Sequence, residues 1–206
     1  MPALGVLYRT VPVLALLLAV AAPASAQSRS NTEGLYLGGS LGSTALFFDE
    51  ADYDVNDEGG GLNLRVGYGF SRLFTLYLGV GGARIDGVNN GLVNDEYDFG
   101  YGELGALFHF SSARRAWVPY LDIALAGVEA SYDDDFDLAF RGGALALGGG
   151  VKYYVSEPLA LDFGLRVRGG AFDEVETGRA RFDLNTDDFE FGTAQLTFGL
   201  SWFPFR

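Results

Sequence analysis

His109 is the only histidine in this 206-residue chain, and Ser111 stands two positions after it. An imidazole beside a hydroxyl is the pair that nucleophilic hydrolysis uses: the ring takes the serine proton, and an acid behind the ring holds it in place. Asp122 is the next carboxylate along the chain. Two other patterns point to chemistry and fail on what surrounds them. "GYGELG", Gly100 to Gly105, fits G-x-G-x-x-G, with Asp122 near the place of a ribose-binding acid, but dinucleotide binding needs a helix directly afterwards. The residues that follow, "ALFHFSSARR", read as strand and turn. "DYDVNDEGGGLN" sets Asp52, Asp54 and Asn56 at the first, third and fifth places of a calcium loop, yet Asp57 stands where glycine is needed and Asn63 where a bidentate glutamate belongs. No catalytic residue, metal site or cofactor is assigned on these patterns.

What any of these residues can do depends on the elements that hold them. The chain has no cysteine, which excludes a disulfide scaffold and a thiolate metal centre. Its formal charge of -13 repels phosphates, so nucleic acid is not an expected partner. Residues 1–26 have Arg9, an apolar run from Val11 to Ala22, and Ala24-Ser25-Ala26 before Gln27. That is the layout of a cleaved secretory signal peptide, and the run is shorter than the roughly twenty residues of a spanning helix. With Gln27 rather than cysteine after the site, a lipid-anchored N-terminus is not expected. Residues 27–206 are read as one domain.

In that domain the apolar residues fall on every second position. In "GLNLRVGYGF" Leu62, Leu64, Val66, Tyr68 and Phe70 alternate with Asn63, Arg65, Gly67 and Gly69. "LALDFGLRVRGGA" and "AQLTFGLSW" repeat the pattern, with Leu161, Phe163, Leu165 and Val167, and then Leu196, Phe198, Leu200 and Trp202, on the bulky face. Period two means strand. The other face is small, polar or charged, the reverse of what the enclosed side of a soluble sandwich needs. A closed barrel with its greasy face in lipid accommodates both.

About eight such strands are expected, around Tyr36–Phe47, Gly61–Phe70, Leu73–Arg84, Tyr97–Phe110, Val118–Ser131, Arg141–Tyr154, Ala160–Ala171 and Gly192–Phe205. The fold class is therefore all-β, a single antiparallel up-and-down transmembrane β-barrel. Short connections ("SR", "SSARRAW", "VSEP") alternate with long acidic ones, as tight periplasmic turns alternate with outer loops. Phe70, Phe74, Phe108, Phe110, Trp117, Tyr153 and Trp202 gather near strand ends, where interfacial aromatics sit.

With these strands, loops and an aromatic-rich final strand, residues 27–206 resemble the small eight-stranded bacterial outer-membrane barrels, the superfamily of OmpX, OmpW and the OmpA membrane domain. One departure is Arg206 behind Phe205, since such barrels usually end on an aromatic. The resemblance implies an outer-membrane location, with lipid, lipopolysaccharide and, during biogenesis, the barrel-assembly machinery as partners. "HFSSA" also resembles the histidine-x-serine segment of the outer-membrane lipid A deacylases. In this topology, however, His109 and Ser111 fall at the periplasmic end, away from outer-leaflet acyl chains, and His109 reads as an inward hydrogen-bonding side chain.

By strand parity Arg65, Glu103, Asp122, Lys152, Asp162, Arg166 and Arg168 all face inward. Both signs are present, so they can pair, and the interior of about eight strands is just wide enough for side chains. The expected function is a non-enzymatic envelope or surface-interaction protein with a plugged interior. The competing reading is a narrow OmpW-like conduit for small apolar molecules, with Tyr97, Phe99 and Tyr101 lining the upper lumen. The loop carboxylates, including Asp133, Asp134, Asp135 and Asp137, read as a solvated acidic surface, with weak divalent-cation binding left open.

Overall fold

The computed structural model describes residues 31–48, 56–86, 96–110, 116–132, 139–177, 180–183 and 190–204. The signal-peptide segment, Ser111, Asp52, Asp54 and the aspartates from Asp133 to Asp137 lie outside these residues. Among the described residues there are nine strands: β1 (Gly34–Phe48), β2 (Asn56–Ser71), β3 (Phe74–Asp86), β4 (Glu96–His109), β5 (Trp117–Tyr132), β6 (Ala139–Tyr154), β7 (Leu159–Thr177), β8 (Ala180–Asp183) and β9 (Glu190–Trp202). Each of β1 to β6 pairs antiparallel with the next, β6 pairs with β7, β7 with β9, and β9 with β1. Eight strands therefore close on themselves, and no edge is left to present unpaired amides to lipid.

β8 is not a stave of the barrel. Among the described residues it pairs with the far end of β7 alone, Val175 opposite Phe182 and Glu176 opposite Arg181. The segment expected to be loop from Phe172 onward thus continues as a hairpin, because β7 runs on to Thr177, past the expected end at Ala171. The register between β6 and β7 shifts at Arg141/Gly142, with Arg141 opposite Glu174 and Gly142 opposite Phe172. This bulge lets β7 keep Phe172 inward while Arg141 and Glu176 join on the outer surface.

Alternation sends the bulky apolar residues out. Leu62, Leu64 and Val66 on β2, Ile123 and Leu125 on β5, and Phe163, Leu165 and Val167 on β7 are all exposed. So much apolar surface would aggregate in water. Facing acyl chains, it is what each spanning strand needs.

The inward side chains form layers. At the short-turn end Tyr36, Tyr77, Val118, Tyr120, Tyr154 and Phe203 pack together. At the long-loop end Leu46, Ile85, Tyr97, Phe99, Tyr101 and Phe191 form a second cluster. Glu103, Asp122, Arg166 and Arg168 lie between the two along the strands, whereas Lys152, opposite Val118, and its partner Asp162 lie within the short-turn cluster. The chain just before β1 folds against the short-turn end, where Tyr154 Oη donates to the Asn31 carbonyl (2.9 Å) and Thr32 Oγ1 to the Arg72 carbonyl (2.9 Å). Gly34 enters β1 from this segment with φ of 98°, a left-handed conformation that glycine adopts without steric cost.

Candidate functional site

The interior charges come from strands that are distant in sequence. Glu103 and Asp122 are on β4 and β5, Arg65 on β2, and Lys152, Asp162, Arg166 and Arg168 on β6 and β7. All seven expected positions face the lumen, and the structure brings them into two connected groups.

The first is centred on Arg166. Its Nη1 lies 2.6 Å from both Glu103 carboxylate oxygens, and its Nη2 lies 2.9 Å from Asp122 Oδ2 and also donates to Tyr77 Oη. The Tyr77 hydroxyl donates in turn to Asp122 Oδ1 at 2.7 Å. Arg65 approaches the same two acids, at 3.4 Å from Asp122 and 3.6 Å from Glu103, with its guanidinium 4.9 Å from the centre of the Tyr77 ring. Arg168 is 3.6 Å from Glu103 Oε2 and lies over the Tyr101 ring at 3.7 Å.

The second group is built on Lys152 and Asp162, directly opposite in the β6–β7 register and joined as an ion pair. Lys152 Nζ also donates to Ser201 Oγ (2.6 Å), which donates to Asp162 Oδ2 (2.7 Å), and Tyr120 Oη donates to Asp162 Oδ1 (2.8 Å). The Lys152 ammonium sits 4.7 Å from the centre of the Tyr120 ring and 5.1 Å from that of Tyr36. A buried ion pair recovers its desolvation cost only when its remaining lone pairs and protons are used. The tyrosines and Ser201 use them here.

Two small residues make these contacts geometrically possible. Gly105 is directly opposite Tyr77, and a Cβ on it would lie 2.4 Å from the phenol. Gly79 is opposite Glu103, where a Cβ would meet the Glu103 side chain at 2.8 Å. Both glycines let the neighbouring side chain lie flat across the sheet.

Little space remains. A cavity of about 20 Å³ lies among Asn63, Arg65, Tyr120, Asp162 and Thr197, and one of about 10 Å³ among Arg65, Asp122, Arg166 and Gln195. Each is on the scale of one water molecule.

Of the candidate hydrolytic residues, His109 and Asp122 are described, and each is held by other groups. His109 is buried at the end of β4, and its Nε2 is 3.1 Å from Thr75 Oγ1. Asp122, the next carboxylate along the chain, is held by Tyr77 and Arg166. The "GYGELG" segment lies inside β4, with no helix behind it, and residues 56–63 of the calcium-like stretch are part of β2. No group of three or more metal-ligating side chains occurs among the described residues.

Parity along the strands did not single out Tyr77, Tyr120, Ser201 or Gln195, whose partners lie on other strands. The signal was there in their shared parity with the charges: Tyr77 sits between outward Leu76 and Leu78, and Tyr120 precedes outward Leu121. Gln195 bonds Thr44 Oγ1 (3.2 Å) and accepts from Tyr101 Oη (3.5 Å), which links the network to the upper aromatic layer.

Over residues 13–202 the sequence matches the family described as Outer membrane protein beta-barrel domain. No curated protein matches it. Among solved structures it is similar to Neisserial surface protein A (NspA), at 16% identity and a TM-score of 0.61, with 83% of this chain and 97% of that chain covered. It is also similar to Ail, the attachment invasion locus protein of Yersinia pestis, at 16% identity and a TM-score of 0.49 over 82% of this chain and 99% of that one. A third is OprG from Pseudomonas aeruginosa, at 12% identity and 0.49 over 83% and 96%. At 16% identity the likeness to NspA speaks for fold alone. With the family match spanning nearly the whole sequence and a closed barrel whose outer face is apolar, the chain belongs to the outer membrane protein beta-barrel domain family and resides in the outer membrane.

Proposed function

We propose that this barrel is a non-enzymatic, sealed wall element of the outer membrane, serving envelope structure or surface interaction through its acidic long-loop end. The observation that carries the reading is the filled interior. Charged groups, bonded to tyrosine and serine hydroxyls around Arg166 and Lys152, lie between and within two aromatic clusters, and the two cavities beside them are each on the scale of a water molecule. A conduit for apolar molecules needs Tyr97, Phe99 and Tyr101 exposed along the lumen, whereas all three are buried, with Phe191 packed against Phe99 at a ring separation of 6.0 Å. Against catalysis stands the engagement of Asp122 and His109 with other partners. The apolar band supports outer-membrane lipid and lipopolysaccharide as its surroundings. The sparse cation content of the chain leaves the acidic outer loops as the surface other molecules would meet.

The test is conductance in planar lipid bilayers. The purified, refolded protein is expected to give no unitary current steps and no uptake of small apolar tracers in liposomes. Reproducible steps or tracer uptake would replace this reading with that of a channel.

A further inference from the structure

Among the described interior side chains there are four cations, Arg65, Lys152, Arg166 and Arg168, and three carboxylates, Glu103, Asp122 and Asp162. One positive charge is therefore in excess. Lys152 has Asp162, Arg166 holds both oxygens of Glu103, and Arg65 lies 3.4 Å from Asp122, which it shares with Arg166. Arg168 is the odd one. Its side chain is 1% exposed, its approach to Glu103 is 3.6 Å, beyond hydrogen-bond length, and its Nε and Nη2 have no hydrogen-bond partner.

Directly opposite Arg168 in the β7–β9 register is Thr193, also inward and 2% exposed, whose Oγ1 has no hydrogen-bond partner either. Cross-strand neighbours of this kind have their Cβ atoms about 5 Å apart, so both side chains can meet one small ligand. The free groups on Arg168 are donors only, and a hydroxyl can donate as well. Leaving a buried charge and its donors unmet is costly, and a group with lone pairs and one negative charge relieves both.

We propose that Arg168 Nε and Nη2, with Thr193 Oγ1, bind a small monovalent anion of halide size inside the barrel. The anion balances the interior charge beneath the Tyr101 ring. Glu103 does not oppose it strongly, because its charge is already committed to Arg166. The layer of Tyr97, Phe99, Tyr101 and Phe191 covers the site from the long-loop end, so the ion enters while the barrel closes rather than afterwards.

The test is refolding of the full chain into lipid vesicles in sodium bromide or in sodium gluconate at equal ionic strength, which separates binding from screening. The urea midpoint of unfolding is expected to rise with bromide and to saturate. Crystals of bromide-refolded protein should give an anomalous peak within hydrogen-bond distance of Arg168 and Thr193. Arg168→Gln should abolish the bromide dependence, and Thr193→Val should weaken it. If Arg168→Gln does not fold, Thr193→Val alone carries the comparison. Equal midpoints in the two salts, or a water molecule without anomalous signal at the site, would overturn the proposal.

Discussion

Along β5, Val118, Tyr120, Asp122 and Ala124 meet protein, while Trp117, Leu121, Ile123 and Leu125 meet lipid, one residue apart throughout. The two faces obey different rules. The outer one asks only for hydropathy: leucine, isoleucine, valine and phenylalanine interchange from strand to strand. The inner one asks for identity, because each side chain has a particular partner or a particular space. Asp122 must accept from Tyr77, and Tyr77 can lie where it does only because Gly105 has no Cβ.

Substitutions at matched depth break or sharpen this contrast. The largest effect is expected from Arg166→Met, which strips Glu103 and Asp122 of their shared cation and should cost about 3–5 kcal/mol of unfolding free energy, as loss of one partner from a buried pair does. Ile123→Arg on the outer face, near the middle of its strand, should cost roughly 2–4 kcal/mol, whereas Ile123→Leu should be almost silent. Both are read by urea unfolding in lipid vesicles. If Arg166→Met were as mild as Ile123→Leu, the inner face would be as permissive as the outer. Smallest of all should be Arg84→Gln. Its partner Asp98 is 3.2 Å away but both side chains are mostly exposed, and such pairs contribute less than about 1 kcal/mol.

The same contrast explains what could be read without coordinates. The outer face is a one-dimensional pattern, so period two along "GLNLRVGYGF" placed β2, and parity assigned all seven interior charges to the lumen. Partner choice inside is a matter of three dimensions. Nothing along the chain tells Arg166 to meet Glu103, 63 positions away. Nor does parity show that Tyr77 and Tyr120 donate to carboxylates rather than merely fill space. The overrun of β7 and its pairing with β8 were missed for a different reason. Beyond the lipid boundary the apolar alternation stops, and "FDEVETGRARFD" has the polarity of a loop although part of it is paired as a hairpin.

The pairing of β1 with β9, with Leu37 opposite Trp202 and Phe47 opposite Gly192, has a consequence for how the molecule comes into being. The seam joins residues more than a hundred positions apart, so its loop-closure entropy is paid late and formation is slow. Until it shuts, β1 and β9 would each present a row of bare amides that hydrocarbon cannot solvate. In a bare bilayer, insertion one strand at a time, as helical proteins permit, is therefore closed to this chain. Its unaided passage from water into such a bilayer must be concerted, with the first and last staves meeting as the rest go in.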